Sequence, residues 1–388
     1  MDPRDNPYSP GAGRRPVALI GREAPMAAWD VALSRIADGR DAQSLVLYGL
    51  RGVGKTVLLT QLAQQARSQG WIVAQAEARR GESIRAAIGE SMHGLLLQIA
   101  RPGVGKRILK AVKTALSFKA SYDSNGVWHF GVDLSGAEGG GADTGALETD
   151  LGRLLMDLAD AAEEKGTGAA LLIDEAQDIT RDELAALCAA VHGANQRQER
   201  LLVALAGLPS LPRQLSEAKS YAERLYTFHE IGVLTDAEAR AVLVEPAEAR
   251  GVRWSRAALH RVVAAAGGYP YFLQEYGQDT WNAAAASPIT EADAIRGIAV
   301  GAEALDTGFF RIRWERASQA ERAYMRAMAV DGDGPSSSSA VAARLGKPMP
   351  ALGPPRASLI GKGLIYSPQH GLIAFTVPAM AGFILRQR

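Results

Sequence analysis

A chain of 388 residues exceeds what one ordinary hydrophobic core organises, so two or three domains are expected. The hydrophobic fraction of 47% is that of a globular protein, and a net charge of +1 excludes a polycation. No apolar run approaches the roughly 18 residues that span a bilayer, and the single cysteine, Cys188, excludes an intrachain disulfide or a Cys-based zinc site.

Met1 to Arg15 is rich in Pro, Gly and Arg and lacks an apolar signal core, which predicts a disordered tail on a cytoplasmic protein. Val17–Ile20 then lead into Gly21-Arg22-Glu23. Leu45–Tyr48 reads as a buried strand running into Gly49-Leu-Arg-Gly-Val-Gly-Lys-Thr56, which satisfies every fixed position of the phosphate-binding pattern G-x-x-x-x-G-K-[ST]. Val57, Leu58, Leu59, Leu62 and Ala63 carry helical spacing out of the loop. Such glycines let backbone N–H groups face a phosphate at the positive end of a helix. Gly49, Gly52, Val53, Gly54, Lys55, Thr56 and Val57 are therefore predicted nucleotide contacts, with Lys55 as the point charge and the Thr56 hydroxyl toward Mg²⁺. A second Gly-Val-Gly-Lys at 103–106 has Ala100 in place of the first glycine and Arg107 in place of the hydroxyl, and is set aside.

Four more apolar runs, Trp71–Ala76, Ala170–Ile173, Leu201–Leu205 and Tyr226–Ile231, alternate with helical stretches. That alternation predicts a parallel sheet covered on both faces over residues 16–234. Residues 101–146 read as an insertion: Leu116–Tyr122 and Val127–Leu134 flank an Asn125-Gly126 turn signal, a predicted hairpin, before a glycine-rich run to Ala146. Asp174 and Glu175 end the third apolar run. They suit an Mg²⁺-shell ligand and a general base, respectively, or else an acidic cap on the next helix.

Capping boxes at Thr180/Glu183, Thr235/Glu238, Thr290/Asp293 and Ser318/Glu321 mark helix starts. Residues 235–317 read as a helical region and connector. Gly267-Gly268-Tyr269-Pro270 within it reads as a helix cap followed by a breaker. Residues 318–388 follow the order helix, helix, helix, hairpin, that of a winged helix-turn-helix. This segment holds eight basic against three acidic residues, a net of +5, which leaves −4 for the rest. A basic module on a mildly acidic body suits nucleic-acid contact, with Lys347, Arg356 and Lys362 as phosphate contacts on duplex DNA. The scarcity of base-reading side chains suits a protein partner instead.

Together these motifs resemble the additional-strand P-loop ATPases at the border of the AAA+ and STAND families, and the whole chain resembles the AAA+/STAND ATP-binding proteins common in actinobacteria. The resemblance implies an α/β P-loop NTPase sheet, a helical lid and a winged helix, with ATP and Mg²⁺ as cofactors. It implies that Gly21 and Arg22 lie near the adenine and that Pro270 touches the nucleotide. Ser220-Tyr-Ala-Glu-Arg224-Leu225 resembles the arginine-finger segment of replication-initiator ATPases, which implies that Arg224 acts on a neighbouring copy's nucleotide in a homo-oligomer. As a plain residue, Arg224 is a surface cation beside Glu223. Two departures point to slow turnover: no polar residue follows the fourth apolar run until Ser210, and no Arg or Lys follows Pro270 until Arg296. The expected activity is an ATP-binding and slowly hydrolysing switch coupled to DNA; the alternative is a STAND-type signalling ATPase whose tail and insertion bind proteins.

Overall fold

Five strands, β1 (Ser44–Tyr48), β2 (Ile72–Glu77), β3 (Ala169–Asp174), β4 (Leu201–Gly207) and β5 (Tyr226–Glu230), form an all-parallel sheet in the order β2-β3-β4-β1-β5. The structure is a computed structural model describing residues 1–11, 19–99, 106–120 and 141–387. All five strands coincide with the expected apolar runs. Side chains alternate across a strand, and both sets are buried here. Val46, Leu171, Ile173, Val203 and Leu205 join one cluster with the helices that lie between β2 and β4 in sequence, while Leu45, Leu47 and Leu172 are equally enclosed outside it.

The sheet unit comprises Glu23–Tyr48 and Leu58–Glu230. Its helices are α1 (Glu23–Ala37), most of α2 (Lys55–Ser68), α3 (Ile84–Ile99), α4 (Lys106–Ala120), α5 (Leu147–Glu164), α6 (Arg181–Gln196), α7 (Leu211–Ala218) and the short α8 (Ala222–Leu225). Trp29 is buried, and its indole N–H donates to the Leu62 carbonyl at 3.0 Å, tying α1 to α2. The predicted hairpin is corrected over its first strand, since Leu116–Ala120 is the last part of α4. Ile108, Ala111, Val112, Ala115 and Phe118 recur at helical spacing and are buried, and Lys110 and Thr114 both bond Asp157 of α5. A helix there buries one continuous stripe, which an isolated strand could not. The Asn125-Gly126 turn and Val127–Leu134 lie outside the described residues.

The second unit comprises Met1–Arg22, Gly49–Val57 and Ile231–Arg388. It holds helices α9 (Asp236–Glu248), α10 (Arg256–Ala266), α11 (Pro270–Ala283) and α12 (Glu291–Ala304), followed by a π-helical turn over Leu305–Phe310 and α13 (Arg311–Glu315). The expected disordered tail is corrected over residues 1–10. Tyr8 is buried between Trp254 and Trp281, its hydroxyl donates to the Leu243 carbonyl, and the Trp254 indole donates to it in turn. Trp281 donates to the Asp2 carbonyl and Asn6 bonds Gln278 and Asn282. One buried aromatic anchor orders a segment whose Pro, Gly and Arg content reads as disorder.

The chain ends in α14 (Gln319–Ala329), β6 (Ser336–Ser337), α15 (Ser338–Leu345), α16 (Gly353–Gly361), β7 (Ile365–Tyr366), β8 (Leu372–Phe375) and α17 (Met380–Arg386), with the short strands ordered β6-β8-β7. All four expected capping boxes are present. Glu321 of the last one is buried beneath α16. Burial opposes its charge, but hydrogen bonds from Lys362, Ser358 and the Ser318 N–H hold its carboxyl down at about 2. A depressed carboxyl stabilises the fold above its unfolded value and loses that contribution as pH falls through the folded value. Full-length protein is therefore expected to lose about 2–3 kcal/mol through this group between about pH 5 and pH 2, and Lys362→Met, which keeps only the Ser358 and Ser318 bonds, is expected to lose less. Unfolding curves across that range check this; an acid limb identical in the variant contradicts it.

Candidate functional site

The phosphate loop is built from positions that only glycine can fill. A Cβ on Gly49 would lie 2.1 Å from the Ile231 carbonyl oxygen, and one on Gly52 would lie 2.8 Å from the Tyr269 hydroxyl. Gly52 and Gly54 have φ of +85° and +96°, a region that L side chains rarely adopt. Lys55 opens α2, and its ammonium donates to the carbonyls of Gly49 (2.9 Å) and Leu50 (2.7 Å), folded back over its own loop. Val53 is buried, and the Thr56 side chain is exposed at the first turn of α2. The loop thus presents a helix N-terminus, one lysine and one hydroxyl, a donor set that fits a polyphosphate with Mg²⁺.

Three other segments of the second unit converge on this loop. Arg22 is buried and donates to the carbonyls of Gly21, Val53 and Gly232, so it braces the loop from behind. Gly21 has a φ of +73°, and a Cβ there would meet the Glu238 carboxylate. Gly267 caps α10 in the left-handed region, the Gly268 carbonyl accepts the Leu234 N–H at 2.8 Å, and Pro270 opens α11. The cap-and-breaker geometry therefore holds, and it also lays Tyr269 against Gly52. The third segment comes from the C-terminal module. The Arg51 N–H donates to the Thr376 carbonyl at 2.9 Å, and a Cβ on Gly363 would lie 3.0 Å from the Arg51 guanidinium.

In the sheet unit, Asp174 is the last residue of β3, and its carboxylate accepts the Glu175 N–H at 2.8 Å. Glu175 has a φ of +51°, a conformation that costs a side-chain-bearing residue about 1 kcal/mol or more and concentrates at functional sites. Its carboxylate accepts a hydrogen bond from Gln177 Nε2 at 2.5 Å, while Gln177 Oε1 accepts the Leu208 N–H just beyond β4. The β4 end, which lacks a polar side chain of its own, thus borrows one from Gln177. Sequence reading missed Gln177; the signal was an amide two residues beyond the acidic pair.

Arg224 is exposed on α8, immediately before β5. Because the sheet is parallel, it sits at the edge opposite the ends of the strands that carry Asp174 and Glu175. Its carbonyl accepts a bond from Gln43, and its side chain lines a shallow hollow with Asn195 and Glu199. Cys188 is buried, and burial pushes its thiol up to about 11, which makes it inert. No cluster of His, Cys, Asp and Glu able to hold a metal occurs among the described residues.

Of the three expected DNA contacts, Lys347 is exposed after α15, and Arg356 is half-buried with Nη2 3.4 Å from the Ser367 hydroxyl. Lys362 is corrected. Its ammonium donates to the Arg316 carbonyl and to Glu321 at 2.6 Å, so its charge is spent within the fold.

Residues 18–204 match the family described as AAA ATPase domain, and residues 307–384 match a domain of unknown function, DUF8462. No curated protein matches the chain. Among solved structures it is similar to the Walker-type ATPase PABY2304 of Pyrococcus abyssi, with 16% identity, coverage of 96% of this chain and 97% of that one, and a TM-score of 0.59. The RuvB Holliday junction branch migration motor of Thermotoga maritima matches at 16% identity, 93% and 95% coverage and a TM-score of 0.45. Cdc6p of Pyrobaculum aerophilum matches at 14% identity, 100% and 97% coverage and a TM-score of 0.47. The fold is that of a P-loop NTPase, and the match to the AAA ATPase domain covers residues 18–204. No helix of the described residues is long and apolar enough to cross a membrane.

Proposed function

We propose that the chain is an ATP-binding, slowly hydrolysing switch that passes its nucleotide state to a C-terminal winged helix. In this reading the loop N–H groups and Lys55 hold the phosphates, and Thr56 and Asp174 hold Mg²⁺, which when bound neutralises charge developing on the phosphates. Glu175 takes the proton of the attacking water, and the Gln177 amide fixes the orientation of its carboxylate. The bracing of Val53 by Arg22 keeps the loop N–H groups aimed at one point. The single observation behind the coupling is the bond from the Arg51 N–H to the Thr376 carbonyl, which joins the phosphate loop to the segment after β8. The module's order of helix, strand, helix, helix and hairpin supports the winged-helix reading. Hydrogen exchange on the full chain tests the coupling. Saturating ATP is expected to change protection over residues 364–377 in the native chain and not in Lys55→Ala; unaltered exchange in the native chain contradicts it.

The proposed target is duplex DNA, held through phosphates by Lys347 and Arg356. Two contacts, at about 0.9 each, give an expected slope of about −1.8 for log affinity against log salt, and Lys347→Ala flattens it by about one. A second reading, a protein partner, is favoured by a specific observation. Lys362, Arg344 and Arg386 pair with Glu321, Asp331 and Asp306, which spends three of the eight cations counted in the segment's charge. Titration of the full chain on duplex DNA at several salt concentrations decides. Absence of binding at low salt removes DNA and leaves the protein partner.

A further inference from the structure

The Tyr269 side chain is only 1% exposed, yet its hydroxyl has no hydrogen-bond partner among the described residues. A buried hydroxyl left unpaired is costly, and natural folds rarely keep one without a use. This hydroxyl lies against Gly52 at the crest of the phosphate loop, where any side chain would strike it. The ring is fixed by Phe272, with centroids 4.7 Å apart, so the hydroxyl is held in one place.

The surroundings are cationic. Arg313 of α13 is half-buried and lies 3.8 Å above the Phe309 ring, with Nη1 on the Phe309 carbonyl at 2.7 Å. No carboxylate lies within ion-pair distance of it among the described residues. Burial pushes the Tyr269 hydroxyl well above its usual range, and the charges of Arg313 and Arg51 only partly oppose that. The group is therefore a neutral donor near pH 7, and a donor flanked by cations selects an anion.

We propose that the Tyr269 hydroxyl is a phosphate donor of the nucleotide site: it bonds a phosphate oxygen held at the Gly52 crest, with Arg313 supplying charge from the far end of the lid. This deepens the ATP-binding reading and rests on it. It assigns a contact to Tyr269 itself, beyond that expected of Pro270, and places a cation of the connector behind the lid in the phosphate field.

Tyr269→Phe removes only the hydroxyl. Calorimetric titration of full-length protein with ATP and Mg²⁺ is expected to show affinity lower by about tenfold or more in the variant, the ratio that a hydrogen bond to a charged group commands. Without nucleotide, the variant is expected to melt at or above the native temperature, because it loses an unpaired polar group. Arg313→Gln is expected to weaken ATP binding in the same direction. Equal ATP affinity in native protein and Tyr269→Phe overturns the proposal while leaving the ATP reading intact. A nucleotide-free melting point clearly below native also overturns it, since the hydroxyl would then be serving the fold. Native protein that does not bind ATP overturns both.

Discussion

Glu175→Gln is expected to keep ATP affinity within about twofold and to lower phosphate release by about 10²–10⁴, the range a general base contributes. The substitution is isosteric, and its amide oxygen can still accept the Gln177 Nε2 bond, so the left-handed turn after β3 keeps its partner. What disappears is the capacity to take a proton. Gln177→Ala gives a milder, diagnostic result. The carboxylate remains but loses its tether to Leu208, so turnover is expected to fall about tenfold with little change in affinity. Single-turnover phosphate release with bound ATP quantified separately checks both variants. Native turnover in Glu175→Gln contradicts the catalytic assignment.

Turnover per molecule is expected to rise with protein concentration, and Arg224→Ala to abolish that rise. Arginine fingers are worth about 10³–10⁵ in rate where they operate. The placement of Arg224 makes the prediction sharp: it stands at the edge of the parallel sheet opposite Glu175, so within one chain it cannot serve the strand ends. Any catalytic effect must be exerted on another copy. A dilution series of phosphate release, with sizing by light scattering at the same concentrations, measures this. A flat profile with the variant unaffected returns Arg224 to an ordinary surface cation paired with solvent.

Local signals carried most of the fold. Strand limits were legible because five apolar runs of parallel-sheet type are bounded by capping boxes and turn residues, each of which acts within a few positions of itself. The phosphate loop and the acidic end of β3 were legible for the same reason. What could not be read were contacts between distant positions. Nothing near Tyr8 announces Trp254 and Trp281, so the tail looked disordered. Lys362 looked like a surface cation until Glu321, 41 residues earlier, was found beneath it. Leu116–Ala120 resembled a strand because the nearby Asn-Gly signal outweighed a helical stripe that begins at Ile108. Arg51 occupies a variable position of the phosphate-loop pattern, where the motif says nothing, and its backbone nonetheless anchors the loop to Thr376. Tyr269 reads as part of a glycine-proline signature, and nothing local shows that its hydroxyl is buried without a hydrogen-bond partner among the described residues.

The central claim is that Gly49–Thr56 binds ATP through Lys55. Calorimetric titration of the full chain with ATP and Mg²⁺, native against Lys55→Ala, tests it most directly. The ammonium now rests on two loop carbonyls and is positioned to exchange them for phosphate oxygens. The account predicts saturable binding by the native chain and affinity weakened by at least about a hundredfold in Lys55→Ala, as expected for loss of a charge-assisted contact. No binding by the native chain, or equal binding by both, would contradict it.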